Sequence, residues 1–576
     1  MIRDLSALSG STFDLVVIGG GINGAATARE SALRGLNVAL LEAQDFASGT
    51  SSRSSKLIHG GLRYLEQRDF KLVRESRRER RLLLKLAPHL ARPLPFLLPI
   101  YREDPYSRFK ISLGLSIYDL LGNLGSGDRH RMLSARDTMR SIPRLRDEGL
   151  LAGAVYHDSE TDDARLSVEN VLDAATHGAV VANYVSVEKL TPANQARGSS
   201  IVTAEAKDQL SGNSFQISGR FWVNATGPWV DRFRALIPGY DSTRTVRLTK
   251  GTHVVLPSIS DRYALLAAIL PGDRIFVMMP WHGYSLLGTT DTDFEGDPAA
   301  VRPDAEDVDY LLGAVNRVLG EPVKPENVVG AFAGLRALAM QPGRSPSENT
   351  REYRFHEDPW AANMISICGG KLTTARALAE KLVELIVRRS NMTSSSSQNH
   401  GVSSRTKRQP SGILAAHPSR LIPLPGGNTG PWEAFVKPAT EEAVGEFAIP
   451  AKTAERIVRT YGSRWRNVLA PMRQQPQLAE LLPGSPALLA AEVAFSIRHE
   501  MAVHVEDFLL RRSGLSWSSC NLREAVPAVA AIFAQHLGWT PEQRESAVVR
   551  FLNDAAHLSF RLANPDRGPA AQRTES

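Results

Sequence analysis

The chain has 576 residues, of which 43% are hydrophobic and 22% charged, with a formal net charge of +7 and a pI near 9.3. This length is too great for one hydrophobic core and predicts two or three domains, while the composition is ordinary for a soluble globular protein. The modest basic excess fits an anionic substrate, an anionic membrane surface or an arginine-rich proteome. Because the sequence has no nucleic-acid-binding motif, we expect no nucleic-acid partner.

The cysteines and the apolar runs indicate the compartment. Cys368 and Cys520 are the two cysteines and lie far apart, which argues against a disulfide framework and fits a reducing compartment. No run of about 18 apolar residues is present, so we expect no membrane-spanning helix. Met1–Ser11 is too short for a leader peptide. We therefore expect a cytoplasmic protein, or one attached peripherally to the inner face of the cell membrane.

The stretch from Phe13 to Ala43 has the pattern of a dinucleotide-binding unit. Phe13–Ile18 is a short apolar run typical of a buried parallel strand. It leads into Gly19, Gly21 and Gly24, which hold the three glycine places of G-x-G-x-x-G. These glycines permit, in turn, a tight turn, a close approach of pyrophosphate to the backbone, and close packing of helix on strand.

A helix, a second strand and an acid complete this unit. Ala25–Arg34 has the small residues of a closely packed helix, which Gly35 can cap, and its N-terminus would face the pyrophosphate. Asn37–Leu41 predicts a buried strand, and Glu42 lies 18 residues past the last glycine, where an acid accepts hydrogen bonds from an adenosine ribose. The pattern predicts a dinucleotide site without choosing between NAD and FAD.

The segment Gly49–Glu66, GTSSRSSKLIHGGLRYLE, is dense in small hydroxyl residues. It is either a polar surface loop or a loop that binds ligands. In the second interpretation, Ser51, Ser52 and Lys56 lie along a cofactor, while His59, Arg63 and Tyr64 face a substrate.

The run TSSRSSKLIHGGLRYLE resembles the signature of the FAD-dependent glycerol-3-phosphate dehydrogenases, aerobic respiratory enzymes within the D-amino-acid-oxidase-like flavoproteins. The resemblance extends from Phe13 to about Leu515. It implies FAD-dependent oxidation of sn-glycerol 3-phosphate to dihydroxyacetone phosphate by hydride transfer to flavin, with electrons passed to a quinone. Three alternatives remain. The protein could be a glycerol-3-phosphate oxidase that uses oxygen, an amine or amino-acid oxidase, or a flavin-binding protein without turnover that tethers a partner through its helical C-terminal domain. A nicotinamide dehydrogenase is disfavoured.

The resemblance also implies the architecture, an α/β plus α protein with a D-amino-acid-oxidase-like FAD-binding fold. We expect a discontinuous FAD-binding domain with a parallel sheet over residues 10–90, 150–240 and 330–390, and a mixed α/β cap domain over 91–149 and 241–329. A flexible linker at 391–415, a helical C-terminal domain at 416–563 and a disordered tail at 564–576 would follow. A homodimer is a further expectation.

The residues expected to contact FAD come from five segments. They are Asp14, Ile18, Gly19, Gly21, Ile22, Asn23, Gly24, Leu41, Glu42, Ala43, Thr50, Ser51, Ser52, Lys56, His59, Thr226, Gly227, Gly370, Lys371, Leu372 and Thr373. Thr226 and Gly227 follow the strand of RFWVNATGPWV, and Gly370 begins the turn from a buried strand, Ile365–Cys368, into a helix.

A helix is predicted over Asp69–Leu86, with four basic residues on one face. They are Arg74, Arg78, Arg81 and Lys85. Such a row is a solvated surface in most proteins, but it can also contact anionic lipid head groups. The enzymes that the chain resembles are peripheral membrane proteins, which favours the second interpretation here.

Asp162 and Asp163 precede a predicted helix. No third ligand lies nearby in the sequence, so we interpret them as helix-start acids rather than as a metal site.

Val246–Pro257 and Ile275–Asp291 predict strands of an antiparallel sheet that covers the flavin. His253, in the middle of the first, is the first choice for the catalytic base and His59 the second, because the ordinary pKa of histidine suits proton transfer near neutral pH. An arginine that polarises the alkoxide is the alternative.

Substrate binding is expected from residues in separate segments. They are Arg63, Tyr64, Arg336, Arg351 and Lys371. A guanidinium gives a phosphate two parallel charged hydrogen bonds, and Lys371 and Arg336 are also expected to act in catalysis, Lys371 by stabilising the anionic reduced flavin. The segment GLRAL has Ala337 where the family has proline, which leaves Arg336 in register but makes the turn less rigid.

The C-terminal third begins with a serine-rich segment, 391–409, predicted to be a disordered linker. Glu441–Leu562 then predicts mostly helices, and Ala491–Trp517 resembles the C-terminal helical domain of the same family.

Overall fold

The computed structural model describes residues 1–62, 69–122, 129–194, 196–240, 242–269, 274–340, 352–396, 417–485, 487–515 and 522–554. The predictions for Arg63, Tyr64, Arg351 and Cys520, for most of the linker and for the tail fall outside these residues.

The described strands run as follows. They are Thr12–Ile18 (β1), Val38–Leu41 (β2), Leu57–Ile58 (β3), Arg92–Tyr101 (β4), Arg131–Ser134 (β5), Leu150–Glu160 (β6), Val180–Ala182 (β7), Val185–Pro192 (β8), Ile201–Asp208 (β9), Ser214–Asn224 (β10), Val246–Pro257 (β11), Ala264–Ile269 (β12), Arg274–Trp281 (β13), Tyr284–Gly288 (β14), Thr292–Asp293 (β15), Gly330–Ala339 (β16), Arg354–Asp358 (β17) and Ala361–Cys368 (β18).

The described α-helices alternate with strands up to β18, and the described chain after β18 contains helices without further strands. They are Leu5–Ser9 (α1), Ile22–Leu33 (α2), Phe70–Leu86 (α3), Arg108–Gly122 (α4), Ala135–Ser141 (α5), Asp163–Thr176 (α6), Val230–Arg234 (α7), Ala305–Asn316 (α8), Ala375–Ser396 (α9), Trp432–Phe447 (α10), Ala451–Tyr461 (α11), Trp465–Leu469 (α12), Ala490–His499 (α13), Val505–Arg511 (α14), Leu522–Leu537 (α15) and Pro541–Asp554 (α16).

The first sheet has the predicted parallel centre. β1 pairs in parallel with β2 on one side and with β10 on the other, and β10 pairs in parallel with β18. Helix α2 packs against α6 and α9, and its small residues Ala25 and Ala28 are fully buried beside Leu15 and Val17 of β1. The carboxyl ends of β1, β10 and β18 therefore meet at one edge of the sheet, where ligands bind in open α/β folds.

The second sheet is largely antiparallel, as predicted for Val246–Pro257 and Ile275–Asp291. β11 pairs with β14 and β16, and β13 with β14, all antiparallel. β4 and β6 extend this sheet beyond β12. Its central strands pack on α8 through Leu311 and Val315.

Three segments fall differently from the expected domain division. β6 and β16, expected in the FAD-binding part, pair in the second sheet instead. Helix α9 continues to Ser396, six residues into the expected linker. In each case the observed hydrogen-bonded pairing crosses an expected boundary.

The C-terminal helices are joined to the first sheet by buried ion pairs. Arg511 and Arg512 of the α14 end donate to the carboxylate of Asp45, with Nη1 of Arg512 at 2.6 Å from Oδ2. Arg165 of α6 donates to Glu500 at 2.7 Å. The helical part is therefore fixed to the sheet that carries the glycine turn.

Helix α3 confirms the helix predicted at Asp69–Leu86, and Asp69 caps it by accepting from the Leu72 N–H at 3.0 Å. Arg74, Arg78, Arg81 and Lys85 are all exposed, as expected for one face. Among the described helices, none combines the length and apolarity that crossing a bilayer requires.

Candidate active site

A cavity of about 670 Å³ lies between the two sheets. Its floor is the edge at which β1, β10 and β18 end, and its other wall comes from β11, β14 and β16. A cavity of this size, lined both by glycine turns and by charged side chains, suits a dinucleotide together with a small anion.

The glycine turn forms a narrow cradle at the floor. Gly19 has φ of +104°, and a Cβ there would lie 2.6 Å from the carbonyl oxygen of Ala225. A Cβ on Gly24 would lie 1.8 Å from the Gly19 carbonyl oxygen, which is the close helix–strand contact expected from the sequence. A side chain at either position would displace backbone, so the geometry requires glycine.

Glu42 and Asn23 lie beside this cradle. Glu42 accepts from the backbone N–H of Gly20 at 2.6 Å and from that of Gln44 at 2.9 Å. Burial raises its pKa. Asn23 donates to the Gly369 carbonyl at 3.3 Å, while its own buried Oδ1 has no hydrogen-bond partner in the described chain. These polar groups fit the ribose and pyrophosphate of a dinucleotide.

The hydroxyl-rich loop connects the cradle with the second sheet. Its residues Thr50–Ser52 form one 3₁₀ turn. Ser51 Oγ accepts from the Ile22 N–H at 2.9 Å, and Thr50 Oγ1 donates to the Leu335 carbonyl of β16 at 2.6 Å. The loop therefore lines the cavity and is not a free surface loop.

Lys56 is placed differently from its expected role. Its ammonium donates to Asp163 Oδ1 at 2.5 Å, and both side chains are 0% exposed. Asp163 also accepts from the N–H and hydroxyl of Ser54, at 3.0 and 2.7 Å. Lys56 does not reach the cavity wall, because the buried carboxylate at the start of α6 needs a counter-charge. It therefore anchors the hydroxyl-rich loop to the start of α6 through a buried ion pair.

Four other expected cofactor residues are also away from the cavity surface. Asp14 lies at the far end of β1, where it accepts from the Asn37 N–H at 3.0 Å. Gly24, Leu41 and Ser52 are buried behind the wall. Periodicity locates a strand or turn but does not say which of its residues face the ligand.

The remaining expected residues that the structure describes do line the cavity. They are Ile18, Gly19, Gly21, Ile22, Asn23, Glu42, Ala43, Thr50, Ser51, His59, Thr226, Gly227, His253, Arg336, Gly370, Lys371, Leu372 and Thr373.

His253 lies on the wall formed by the second sheet. Its Nε2 is 2.8 Å from the Ser55 hydroxyl, its ring stacks on Phe332 at 4.8 Å between centroids, and the residue is 3% exposed. Burial, with a smaller contribution from the cations Arg336 and Lys56, lowers its pKa to about 3. The imidazole is therefore neutral at neutral pH, and with its pKa this low it is a weak base in the absence of a ligand.

Arg336 projects from β16 toward the same region. It donates to Asp291 Oδ1 at 3.1 Å and to the Thr289 hydroxyl at 3.0 Å. A Cβ on Gly251 would lie 2.6 Å from the Arg336 Nη2 and 2.7 Å from the Thr289 Oγ1, so a side chain there would shift the guanidinium from its present position. Lys371 lines the cavity immediately before the 3₁₀ turn Leu372–Thr374.

Sequence reasoning missed several residues of this site. Ser55, Thr289, Asp291 and Arg53 all line the cavity. Ser55 and Arg53 stand in the hydroxyl-rich loop, and Thr289 and Asp291 in the turn after β14, so each segment was singled out although these members were not.

Comparisons with known proteins agree with this arrangement. A family profile described as FAD dependent oxidoreductase matches residues 14–385, and one described as the C-terminal domain of alpha-glycerophosphate oxidase matches residues 418–544. An aerobic glycerol-3-phosphate dehydrogenase of Staphylococcus haemolyticus is 34% identical over 551 residues, covering 93% of each chain.

Two further relatives cover almost the whole chain. A glycerol-3-phosphate dehydrogenase of Synechocystis is 32% identical, over 96% of this chain and 97% of its own. The crystal structure of the glycerol-3-phosphate dehydrogenase from Bacillus halodurans complexed with FAD superposes with a TM-score of 0.74 at 28% identity, over 96% of each chain.

Proposed function

Since the chain belongs to the family of FAD-dependent glycerol-3-phosphate dehydrogenases, we propose that it oxidises sn-glycerol 3-phosphate to dihydroxyacetone phosphate and passes the electrons to a quinone. The observation that supports the substrate is that Arg336, Lys371 and His253 line the same cavity as the glycine cradle. Together they bring positive charge and a neutral imidazole to the wall of that cavity.

The cradle and its polar rim fit FAD. The glycines of the first turn, Glu42 and the free Oδ1 of Asn23 match a dinucleotide in shape and hydrogen bonding. FAD supplies the hydride acceptor, which no amino-acid side chain can provide. The protein binds both reactants, orients them and excludes water.

The substrate phosphate is expected at Arg336 and Lys371. Arg336 is oriented by Asp291 and Thr289, so little side-chain freedom would be lost on binding an anion. An amino acid would need one cation for its carboxylate and apolar cover elsewhere, whereas several cations favour a phosphate dianion. Arg63, Tyr64 and Arg351 are proposed as further ligands from the resemblance of their segments.

His253 is the proposed acceptor of the hydroxyl proton. Its low pKa arises from burial and two nearby cations. A bound dianion would offset those cations and raise the pKa, so the imidazole becomes a stronger base when substrate is present. Ser55 holds the ring in position through the contact with Nε2.

We also propose that the protein binds an anionic membrane surface, where a quinone would be available. Helix α3, which carries the exposed basic row, packs against α4, and α4 presents four exposed apolar residues at helical spacing. They are Phe109, Leu113, Ile117 and Leu120, with Phe109 78% and Leu120 80% exposed. A basic row next to an apolar face is the pattern of an interfacial helix pair.

Vesicle sedimentation tests this surface. Changing Arg74, Arg78, Arg81 and Lys85 together to glutamine should abolish co-sedimentation with vesicles rich in anionic lipid. Changing the exposed Lys437, Arg466, Arg473 and Arg544 of the C-terminal helices should not, although it removes the same charge. Equal binding by both variants would exclude α3 from this role.

An anaerobic titration of the purified protein tests the reaction itself. Glycerol 3-phosphate should bleach the flavin absorbance, while glycerol and D-alanine should not. A flavin that fails to bleach with glycerol 3-phosphate would overturn the substrate, and attention would turn first to Ala337. A colourless protein with NAD-dependent activity would overturn the cofactor.

A further inference from the structure

Arg53 occupies the centre of the hydroxyl-rich loop and lines the cavity, and no role has so far been given to it. Within the described chain, its guanidinium forms no salt bridge and no hydrogen bond. The other cavity arginines differ in this respect. Arg336 pairs with Asp291 at 3.1 Å, and Arg232 pairs with Asp297 at 2.9 Å.

The backbone of Arg53 is fixed from both sides. A Cβ on Gly334 of β16 would lie 2.5 Å from the Arg53 carbonyl oxygen, so the loop presses directly on that strand. On one side Thr50 donates to Leu335, and on the other Ser54 donates to Asp163. The loop cannot move away to give the guanidinium a solvent-facing position without losing these contacts.

The surroundings of Arg53 add to its charge. Burial, followed by repulsion from Arg302 and Arg511, lowers its pKa to about 10, which leaves it protonated at neutral pH. Arg53 is half-buried, and a partly desolvated cation without a counter-ion is unfavourable, because an arginine cannot escape by losing its proton. An anion bound in the cavity would supply the missing counter-charge.

We propose that Arg53 is a phosphate-binding residue of the active site, whose guanidinium pairs with the phosphate oxygens of a bound ligand. Both reactants of the proposed function carry such oxygens, the FAD pyrophosphate and the phosphate of glycerol 3-phosphate. The planar fork of arginine matches a phosphate in two parallel hydrogen bonds. This assignment rests on the proposed function only for the second of the two ligands.

The test measures two dissociation constants in the Arg53→Gln variant. The first is that of FAD for the apoprotein, followed by flavin fluorescence. The second is that of glycerol 3-phosphate for the oxidised holoprotein, followed by the flavin spectrum in stopped flow before reduction. A lost charged hydrogen bond should weaken binding on the order of tenfold to a hundredfold.

A weaker FAD complex would assign Arg53 to the pyrophosphate. A weaker glycerol 3-phosphate complex at unchanged FAD affinity would assign it to the substrate phosphate. The control is Arg232→Gln, which removes a cavity arginine already neutralised by Asp297 and should change neither constant. Values for Arg53→Gln equal to those of the control would overturn the proposal.

Two further outcomes are informative. If Arg53→Gln does not fold, Arg53→Met, which fills the same volume without charge, is measured in the same way, and failure of both to fold would make Arg53 a packing residue and overturn the proposal. If the wild-type holoprotein does not bind glycerol 3-phosphate, the proposed function fails, while the FAD constant still decides whether Arg53 binds phosphate.

Discussion

At the scale of single residues, His253 is the proposed acceptor of the substrate's hydroxyl proton. It lies on the cavity wall with its Nε2 on Ser55, stacked on Phe332. Replacing it by glutamine keeps much of the polar surface but removes the proposed proton acceptor. We expect turnover to fall by roughly 10²- to 10⁴-fold, the usual contribution of a general base, with FAD binding unchanged.

The measurement is the rate of flavin reduction in single turnover, over a range of pH. Ser55→Ala is the control, because it keeps the imidazole and removes only the hydroxyl that contacts Nε2. It should lower the rate of flavin reduction less than His253→Gln does. Full turnover with an unchanged pH profile in His253→Gln would exclude His253 as the base.

Arg336 gives a second test at this scale. Arg336→Lys keeps one positive charge but loses the fork that Asp291 and Thr289 orient. We expect the KM for glycerol 3-phosphate to rise on the order of tenfold or more, with flavin content preserved. An unchanged KM would mean that the phosphate lies elsewhere in the cavity.

At the scale of the element, the hydroxyl-rich loop depends on a buried pair beneath it. Lys56 and Asp163 join the loop to the first turn of α6 with no exposure of either side chain. Removing one partner leaves an uncompensated buried charge. We expect Lys56→Met or Asp163→Asn alone to destabilise the protein by about 3–5 kcal/mol.

The double variant Lys56→Met/Asp163→Leu removes both charges and should recover much of that loss. Urea unfolding of the wild type, the two single variants and the double variant measures the coupling. The exposed pair Arg232–Asp297 is the matched control and should show coupling of about 1 kcal/mol or less. Equal coupling for the two pairs would contradict a supporting role for Lys56.

Local patterns in the sequence predict the individual helices, strands and turns well. The strand–glycine–helix unit, the antiparallel strands around His253 and the helix at Asp69 depend on periodicity and turn residues, which neighbouring residues determine. Lys56 shows where such reasoning ends. Its partner Asp163 lies 107 residues away and belongs to another helix, so only the folded chain reveals that the ammonium is already neutralised. For the same reason, Arg53 could not be recognised as a cation without a partner.

At the scale of the whole molecule, the contact between the C-terminal helices and the first sheet is stabilised by two buried carboxylates, Asp45 and Glu500, that pair with arginines. Although burial opposes it, Arg512 and Arg511 lower the pKa of Asp45 to about 2, and Arg165 and Arg464 do the same for Glu500. Both folded pKa values lie below those of the unfolded chain. The stabilisation is therefore complete above about pH 5 and is lost progressively as the pH falls toward 2.

This sign gives a prediction for acid unfolding. Asp45→Asn should lower the melting temperature at pH 7 and show a smaller further decrease between pH 5 and pH 3 than the wild type. Circular dichroism melts across this range measure both. Parallel pH curves for the two proteins would show that Asp45 does not contribute through its charge.

Asp45 stands three residues after Glu42, the acid beside the glycine cradle, and its carboxylate is held by two arginines from the other end of the chain. Two family profiles divide this chain near residues 385 and 418, as if it were a pair of interchangeable modules. The shared ion pairs mean that the pieces are not interchangeable. Transplanting the helical part onto a related flavoprotein would require carrying Asp45 with it. Otherwise the buried Arg512 would arrive without its counter-ion and Arg511 would keep only Asp507, so the chimaera would lose stability.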